Sequence, residues 1–469
     1  MRLLALFASL LLFSVGDSNN TLPICIVNAN VLDVESGKWL KTNITISGNT
    51  ITDVSTNKPE KAQFHDFEGR FIIPGLVDGH MHFFQSGGLF TRPDIADLRH
   101  IKSYEEEQSW INENHNDLFK RYLACGITTV IDVGGPLSNF ALRKQHSNAD
   151  TLPDAYVAGP LISTYQPAAL GDKDPPILKA HTIDEAKEFV WQQAKFQPDF
   201  IKVWYIVTPD NPAEKSFEMV KAVGDLCDEL NLKFAVHATQ LQTAKLAIKA
   251  GADLLVHSVD DELVDKEFIN LMKKNKVSYI PTLQVYQNYQ RTFAQDFDYS
   301  LHEYRWSHGE AMNSLFQLKT LEKPTLNPRL KMLVNQTYQP TKRDTIMSQN
   351  LQKIYKAGIN IIAGTDAGNI GTHHGSSLLK ELVMMNNSGM SNLDVLKSAT
   401  CNASALLKNF SGKIEVGSKA NLIVLKNDPL KDLYALQEIV CVYNKGVKHT
   451  AEILVPRNAE QLAQEQLMA

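Results

Sequence analysis

The sequence predicts an α/β fold built as a (β/α)₈ barrel with a smaller β unit, and three observations carry this. The chain has 469 residues, more than the about 250 that a barrel alone takes. Its middle repeats one unit: a short apolar β-branched run, a turn, then an amphipathic helical stretch. Short β runs separated by turn signals occur only at the two ends. Alternating strand and helix implies parallel pairing, and eight such units imply closure into a barrel.

The elements follow in chain order. Arg2 precedes the apolar run Leu3 to Val15, with small residues Ser14 and Gly16 where a signal peptidase reads, so residues 1–16 form an export signal. The run is shorter than the ~20 residues needed to span a bilayer. The protein is therefore expected to be exported, periplasmic or secreted, without stable membrane insertion. Ile24 to Val27 and Ile44 to Ile46 are β runs punctuated by Ser47-Gly48-Asn49; Ala420 to Leu425 and Ile439 to Tyr443 repeat the pattern with Gly417 and Gly446. Between them lie eight candidate strands: Phe71 to Val77, Thr128 to Val133, Ala155 to Ala158, Phe200 to Trp204, Lys233 to Val236, Asp253 to Val256, Val277 to Pro281 and Ile359 to Ala363. Ile183, Ala186, Phe189 and Val190 make a helical stripe behind the capping box Thr182-x-x-Glu185, and Leu241, Ala244 and Ile248 make another. A long insertion at about 283–350, with an aromatic and polar stretch from Gln284 to Trp306, separates the last two strands. Connections this long are usually lids or binding segments.

Composition narrows the class. With 47 Lys+Arg against 52 Asp+Glu the formal charge is −5, which argues against nucleic acid as a partner. At 43% hydrophobic and 21% charged residues the chain is neither disordered nor fibrous. Five cysteines stand singly, so neither a zinc ribbon nor a disulfide framework is written here. Cys227 shares a helical face with Val220 and Val223 and reads as core; Cys25 and Cys441 can pair only if their segments meet. Sequons at Asn19, Asn43, Asn335, Asn386, Asn402 and Asn409 do not identify the host. No Gly-rich dinucleotide loop follows a strand, which disfavours redox chemistry. Oligomeric state stays open, a homo-oligomer included.

The chemistry sits at strand ends. Asp78-Gly79-His80-Met81-His82 closes the first strand, and the period of two sends His80 and His82 the same way, about 7 Å apart along the chain. Alone, such a pair also suits hydrogen-bonded core residues. However, Lys202 lies on the fourth strand, His237 follows the fifth, His257 the sixth and Asp366 the eighth. The bland alternative, separately satisfied core polar groups, would have to hold six times. An ammonium at Lys202 beside cations would be desolvated and repelled. Carbamylation by CO₂ turns it into an anionic two-oxygen ligand; otherwise Lys202 points outward and carries nothing.

These residues resemble the amidohydrolase superfamily, within it the imidazolonepropionase-like branch that includes metal-dependent dipeptidases. The matching segments are residues 71–82, Gly126-Ile127-Thr128-Thr129-Val130, Phe200-Ile201-Lys202, Val236-His237-Ala238, Val256-His257, Gly364-Thr365-Asp366-Ala367-Gly368, Ala399-Thr400 and residues 417–424. The resemblance implies that His80, His82 and Asp366 hold one metal ion, His237 and His257 a second, with carbamylated Lys202 between them. Ligand type suits Zn²⁺, with Mn²⁺, Co²⁺ or Fe²⁺ not excluded. The resemblance also implies that residues 17–72 and 412–469 join into one small β-sandwich beside a barrel at 73–411. Three positions depart from the branch: Ser258-Val259 follows His257 where Gly is common, Trp204 to Pro209 replaces a Gly-rich loop, and Asn421 stands for Asp.

The implied reaction is amide hydrolysis. Two divalent ions lower the pKa of a water between them, giving a hydroxide nucleophile, while Asp366 carries its proton to the leaving nitrogen. Trp204, two residues beyond Lys202, walls the pocket or simply packs. His374, in Thr372-His373-His374-Gly375, reaches a substrate carbonyl or carboxylate or lies in a surface loop. The expected substrate is a small-molecule amide, a dipeptide or N-acyl amino acid. Cyclic-amide or lactone hydrolysis is the alternative, and a catalytically silent metal-binding protein is the alternative of another class.

Overall fold

A computed structural model describes residues 22–208, 211–321 and 337–455. The predicted export signal lies outside these residues, as do the sequons at Asn19 and Asn335.

Parallel strands form two sheets. Asp154–Val157, Ile127–Asp132 and Leu76–Met81 make the first, in that order. The second runs Ile177–Lys179, Leu161–Ser163, Phe200–Trp204, Lys233–His237, Leu254–Val256 and Ser278–Ile280. Single-residue parallel bridges Ala158↔Phe200, Tyr279↔Ile361 and Met81↔Ala367 connect them. Their buried apolar side chains, Val77, Ile131, Ala235, Leu254 and Ile280 among them, pack as one cluster.

Three expected strands differ from those observed. Residues 359–363 pair only through the bridge at Ile361. The Ala363 amide donates to Ser398 O at 2.9 Å, and the Thr365 amide to the Asp78 carboxylate at 3.0 Å, so a regular ladder is interrupted by side-chain and loop acceptors. The expected run Phe71 to Val77 is divided: Phe71–Pro74 belongs to an outer sheet and Leu76–Met81 to the parallel core. Pro74 lacks an N–H, and a Cβ on Gly75 would come within 2.1 Å of Thr128 Oγ1, so only glycine fits the crossing. The third strand's ladder stops at Val157, Ala158 makes only a single bridge to Phe200, and the next strand begins at Leu161, past the donorless Pro160.

Two further sheets draw on both ends of the chain. One is ordered Thr50–Ser55, Asn43–Ser47, Ile24–Val27, Gln63–Asp66; the other Val447–His449, Ile439–Asn444, Leu422–Leu425, Phe71–Pro74, Asn30–Asp33, Lys38–Lys41. Ile26, Ile44, Ile46, Ile72, Leu422 and Val424 from both sheets share one buried cluster, each such side chain contributing ~1.5–3 kcal/mol. Cys25 and Cys441 are both in this layer, yet all five cysteines are free and buried, so the conditional pairing is not made.

The helices follow their stripes. Thr182 caps Ile183–Ala194 by accepting from the Glu185 amide at 3.1 Å, but Glu185 reaches back to the amide of His181 rather than Thr182, leaving half of the expected box. Cys227 is buried in Ala213–Glu229 beside Val220 and Val223. Among its described residues the long insertion is largely helical, with Leu283–Ala294, Leu301–Trp306, Gly309–Phe316 and Lys342–Lys356. Among the described residues no helix is long and apolar enough to cross a membrane.

Candidate metal centre

The C-terminal ends of the parallel strands converge on one carboxylate. Asp366 Oδ1 lies 3.1 Å from His80 Nε2 and 3.1 Å from His82 Nε2, while Oδ2 lies 3.8 Å from His257 Nδ1. The His237 and His257 rings are 4.4 Å apart and the His80 and His257 rings 4.9 Å. Lys202, on Phe200–Trp204, is 1% exposed and lines the same cavity of about 320 Å³. The structure thus brings His80, His82, Lys202, His237, His257 and Asp366 to one place.

Backbone and neighbouring side chains fix the arrangement. His82 Nδ1 donates to Gly134 O at 2.7 Å, which leaves Nε2 facing Asp366. His257 Nδ1 pairs with Thr282 Oγ1 at 2.9 Å. Thr365 Oγ1 donates to Asp78 at 2.6 Å and anchors the residue before Asp366. His257, Thr282 and Asp366 have φ of 77°, 45° and 60°, left-handed conformations that non-glycine residues adopt at a cost of ~1–3 kcal/mol each.

Electrostatics sharpen the roles. Burial lowers His80 to about 4 despite the opposing Asp366, and holds His237 and His257 well below the usual imidazole range. Burial alone would lower His82 too, but its contacts with Asp132 and Asp366 outweigh this and raise it to about 9. Burial works against ionised Asp366, yet the surrounding imidazoles hold it well below the usual carboxylate range. Lys202 falls to about 7 through burial.

The donor set fits a divalent cation. Both His80 nitrogens, Lys202 Nζ and Asp366 Oδ1 are buried without a hydrogen-bond partner. Each such atom costs ~1–3 kcal/mol unless a guest satisfies it. One ligand atom each from His80, His257 and Asp366 lies within 4.8 Å of the others. Imidazole nitrogen with carboxylate oxygen is a donor set for Zn²⁺ and its transition-metal neighbours.

Trp204 lines the cavity, its ring 6.1 Å from that of His237. His374 does not take the place expected for it. It is 2% exposed, outside the cavity lining, its Nε2 donating to Gln85 O at 2.7 Å and its Nδ1 paired with Tyr122 Oη at 2.9 Å. Proximity in sequence to Asp366 fixed its reach but not its direction. Sequence reasoning missed Asp132, 3.6 Å from His82 Nδ1, although it ends the second strand as a ligand-type residue should. It also missed Asp78, two residues before His80. Tyr286 and Arg343, which wall the cavity from the insertion, left no spacing signal.

Strand topology and site together define an α/β protein of parallel sheets with a candidate divalent-metal centre at the strand C-termini. The chain belongs to the amidohydrolase family, whose model matches residues 71–448. Ochratoxinase of Aspergillus niger is 25% identical over 398 residues, 78% of this chain and 72% of that protein. Among solved structures, a Xaa-Pro dipeptidase with bound methionine in the active site aligns with TM-score 0.69 at 24% identity, covering 91% of this chain and 100% of that one. The crystal structure of A. niger ochratoxinase aligns with TM-score 0.67 at 20% identity, covering 92% and 96%. Family and relatives support a hydrolase acting on amide bonds; the two structural alignments speak to the fold.

Proposed function

We propose that this protein is an exported, metal-dependent hydrolase of the amide bond in a dipeptide or N-acyl amino acid. The carrying observation is the convergence of unpartnered buried donors on Asp366. In this reading His80, His82 and Asp366 would hold one divalent cation and His237 and His257 a second, Zn²⁺ for both, with carbamylated Lys202 as a ligand between the two sets. The connecting bridges support reading the two parallel sheets as one closed eight-stave barrel at about 73–411. The shared apolar cluster supports reading the outer sheets as a β-sandwich of 17–72 with 412–469.

When bound, such cations supply a hydroxide nucleophile near neutral pH and polarise the scissile carbonyl. The chain's own groups do the rest. Lys202, lowered to about 7 by burial, has a free amine lone pair in about half of the molecules at neutral pH. Attack of that nitrogen on CO₂ forms an N–C bond and releases one proton, leaving an anionic carbamate where an ammonium would be repelled. Asp366, whose carboxylate lies among the imidazoles, would accept the proton of the attacking water and return it to the leaving nitrogen. Trp204 and Tyr286 wall the substrate's side chain and exclude water.

Elemental analysis of purified protein, paired with a panel of dipeptides, N-acyl amino acids, cyclic amides and lactones, tests the proposal. Two equivalents of transition metal and chelator-sensitive cleavage of a linear amide are expected. Cleavage of lactones or cyclic amides alone moves the assignment to the alternative chemistry. Less than one equivalent of metal, or no turnover of any amide, overturns it.

A further inference from the structure

Besides the histidines, three basic side chains among the described residues line the cavity: Lys202, Arg92 and Arg343. Lys202 belongs to the centre itself. Arg92 is committed: its fork closes on Asp94 at 2.8 and 2.6 Å, and Nη1 donates to Asn369 at 2.6 Å and Tyr289 Oη at 3.3 Å.

Arg343 is different. It projects from Lys342–Lys356 of the insertion, with its guanidinium stacked on the Tyr286 ring at 3.8 Å. One Nη donates to Asp260, and Nε is buried with no partner. Its side chain keeps 36% exposure, toward a cavity it lines. Asp260, on the loop that follows His257, is pinned in turn, since its amide donates at 2.9 Å to the O of Thr239, on the loop that follows His237. The positive charge of Arg343 is felt at His237, so it acts across the site. A guanidinium offers five donors, and an aromatic face beneath it holds the fork rigid. One bond to Asp260 orients that fork and leaves the other edge to the cavity.

We infer that Arg343, seated between Tyr286 and Asp260, docks a carboxylate of the substrate, making this a specificity residue for amides that carry a free acid group. The inference rests on the amide-hydrolase reading above. It goes further by requiring discrimination between an acid and its neutral analogue.

The test measures binding by calorimetry, and KM and kcat, for N-acetyl-L-methionine and its C-terminal carboxamide on the metal-loaded full chain. The wild type is expected to bind the acid about 30-fold better, the scale of a hydrogen bond to a charged group. Arg343→Gln should raise Kd and KM for the acid by about that factor, with kcat and carboxamide binding unchanged; Arg343→Lys should recover part of the loss. Asp260→Asn, which keeps the cation, should leave acid binding intact. Equal binding of acid and carboxamide by the wild type, equal weakening of both by Arg343→Gln, or a loss in Asp260→Asn matching that in Arg343→Gln overturns the inference. Selective acid binding without turnover of either compound upholds it and counts against amide hydrolysis instead.

Discussion

Two groups of buried histidines lie in this protein, and their difference shows what a binding site is. His115, His146 and His374 are at most 4% exposed. His115 Nε2 meets His146 Nε2 at 2.9 Å, His146 Nδ1 donates to Pro153 O at 2.8 Å, and His374 is held by Gln85 and Tyr122. These rings are satisfied by protein, amid Phe83 and Phe119. At the strand ends His80 is equally buried but unpartnered, and it faces a carboxylate that two other imidazoles also approach. Burial is the same; what differs is convergence. An orphan ring alone is insufficient, because His373 is also buried without partners yet joins no group of three ligand atoms among the described residues.

The largest test of this contrast is Asp366→Asn. Removing the converging carboxylate should lower kcat by roughly 10²- to 10⁴-fold, measured beside metal content by elemental analysis; unchanged turnover would place the chemistry elsewhere. Chelation comes next. A ligand present at 1,000 times its Kd stabilises by ~4 kcal/mol, so metal removal should lower the midpoint of denaturant unfolding and re-addition restore it. An unmoved midpoint would mean that the orphan donors hold nothing. His146→Ala addresses the satisfied group: a loss of about 2–4 kcal/mol is expected from the vacated volume and the orphaned Pro153 carbonyl, with metal content unchanged. A parallel loss of metal would erase the distinction between the two groups.

The smallest effect is in pH. His82, raised to about 9, carries a proton at neutral pH that metal uptake must expel. Apparent affinity should therefore rise with pH up to about 9 and level off above it, by at most about tenfold per pH unit from this group. His80, lowered to about 4, adds nothing in that range, whereas Lys202, at about 7, steepens the slope below neutrality. Competition titrations at pH 6, 7, 8 and 9.5 measure this, and a flat profile contradicts the assignment of His82.

The centre was more legible in the sequence than the fold around it. Strand ends repeat a simple code: two-residue alternation aligns His80 with His82, and single ligand-type residues terminate the later strands. What lay beyond reach depended on contacts distant in sequence. Phe71 to Val77 reads as one apolar strand because nothing local reveals that Leu422–Leu425 and Asn30–Asp33 claim its first half. The regular pattern of residues 359–363 hides the acceptors that draw its amides away. Arg343 and Tyr286 meet only because two insertion helices pack at the cavity, and His374 turns inward because Tyr122 awaits it.

The division at Gly75 carries a consequence for engineering. The segment that delivers His80 and His82 enters the core directly from a sheet completed by the distal tail, with Leu422–Leu425 hydrogen-bonded alongside. Deleting Asn30–Asp33 or Leu422–Leu425 to obtain a minimal catalytic fragment would unmoor those two imidazoles, so both flanking strands must be retained in any shortened version and should melt together with the centre as one cooperative unit.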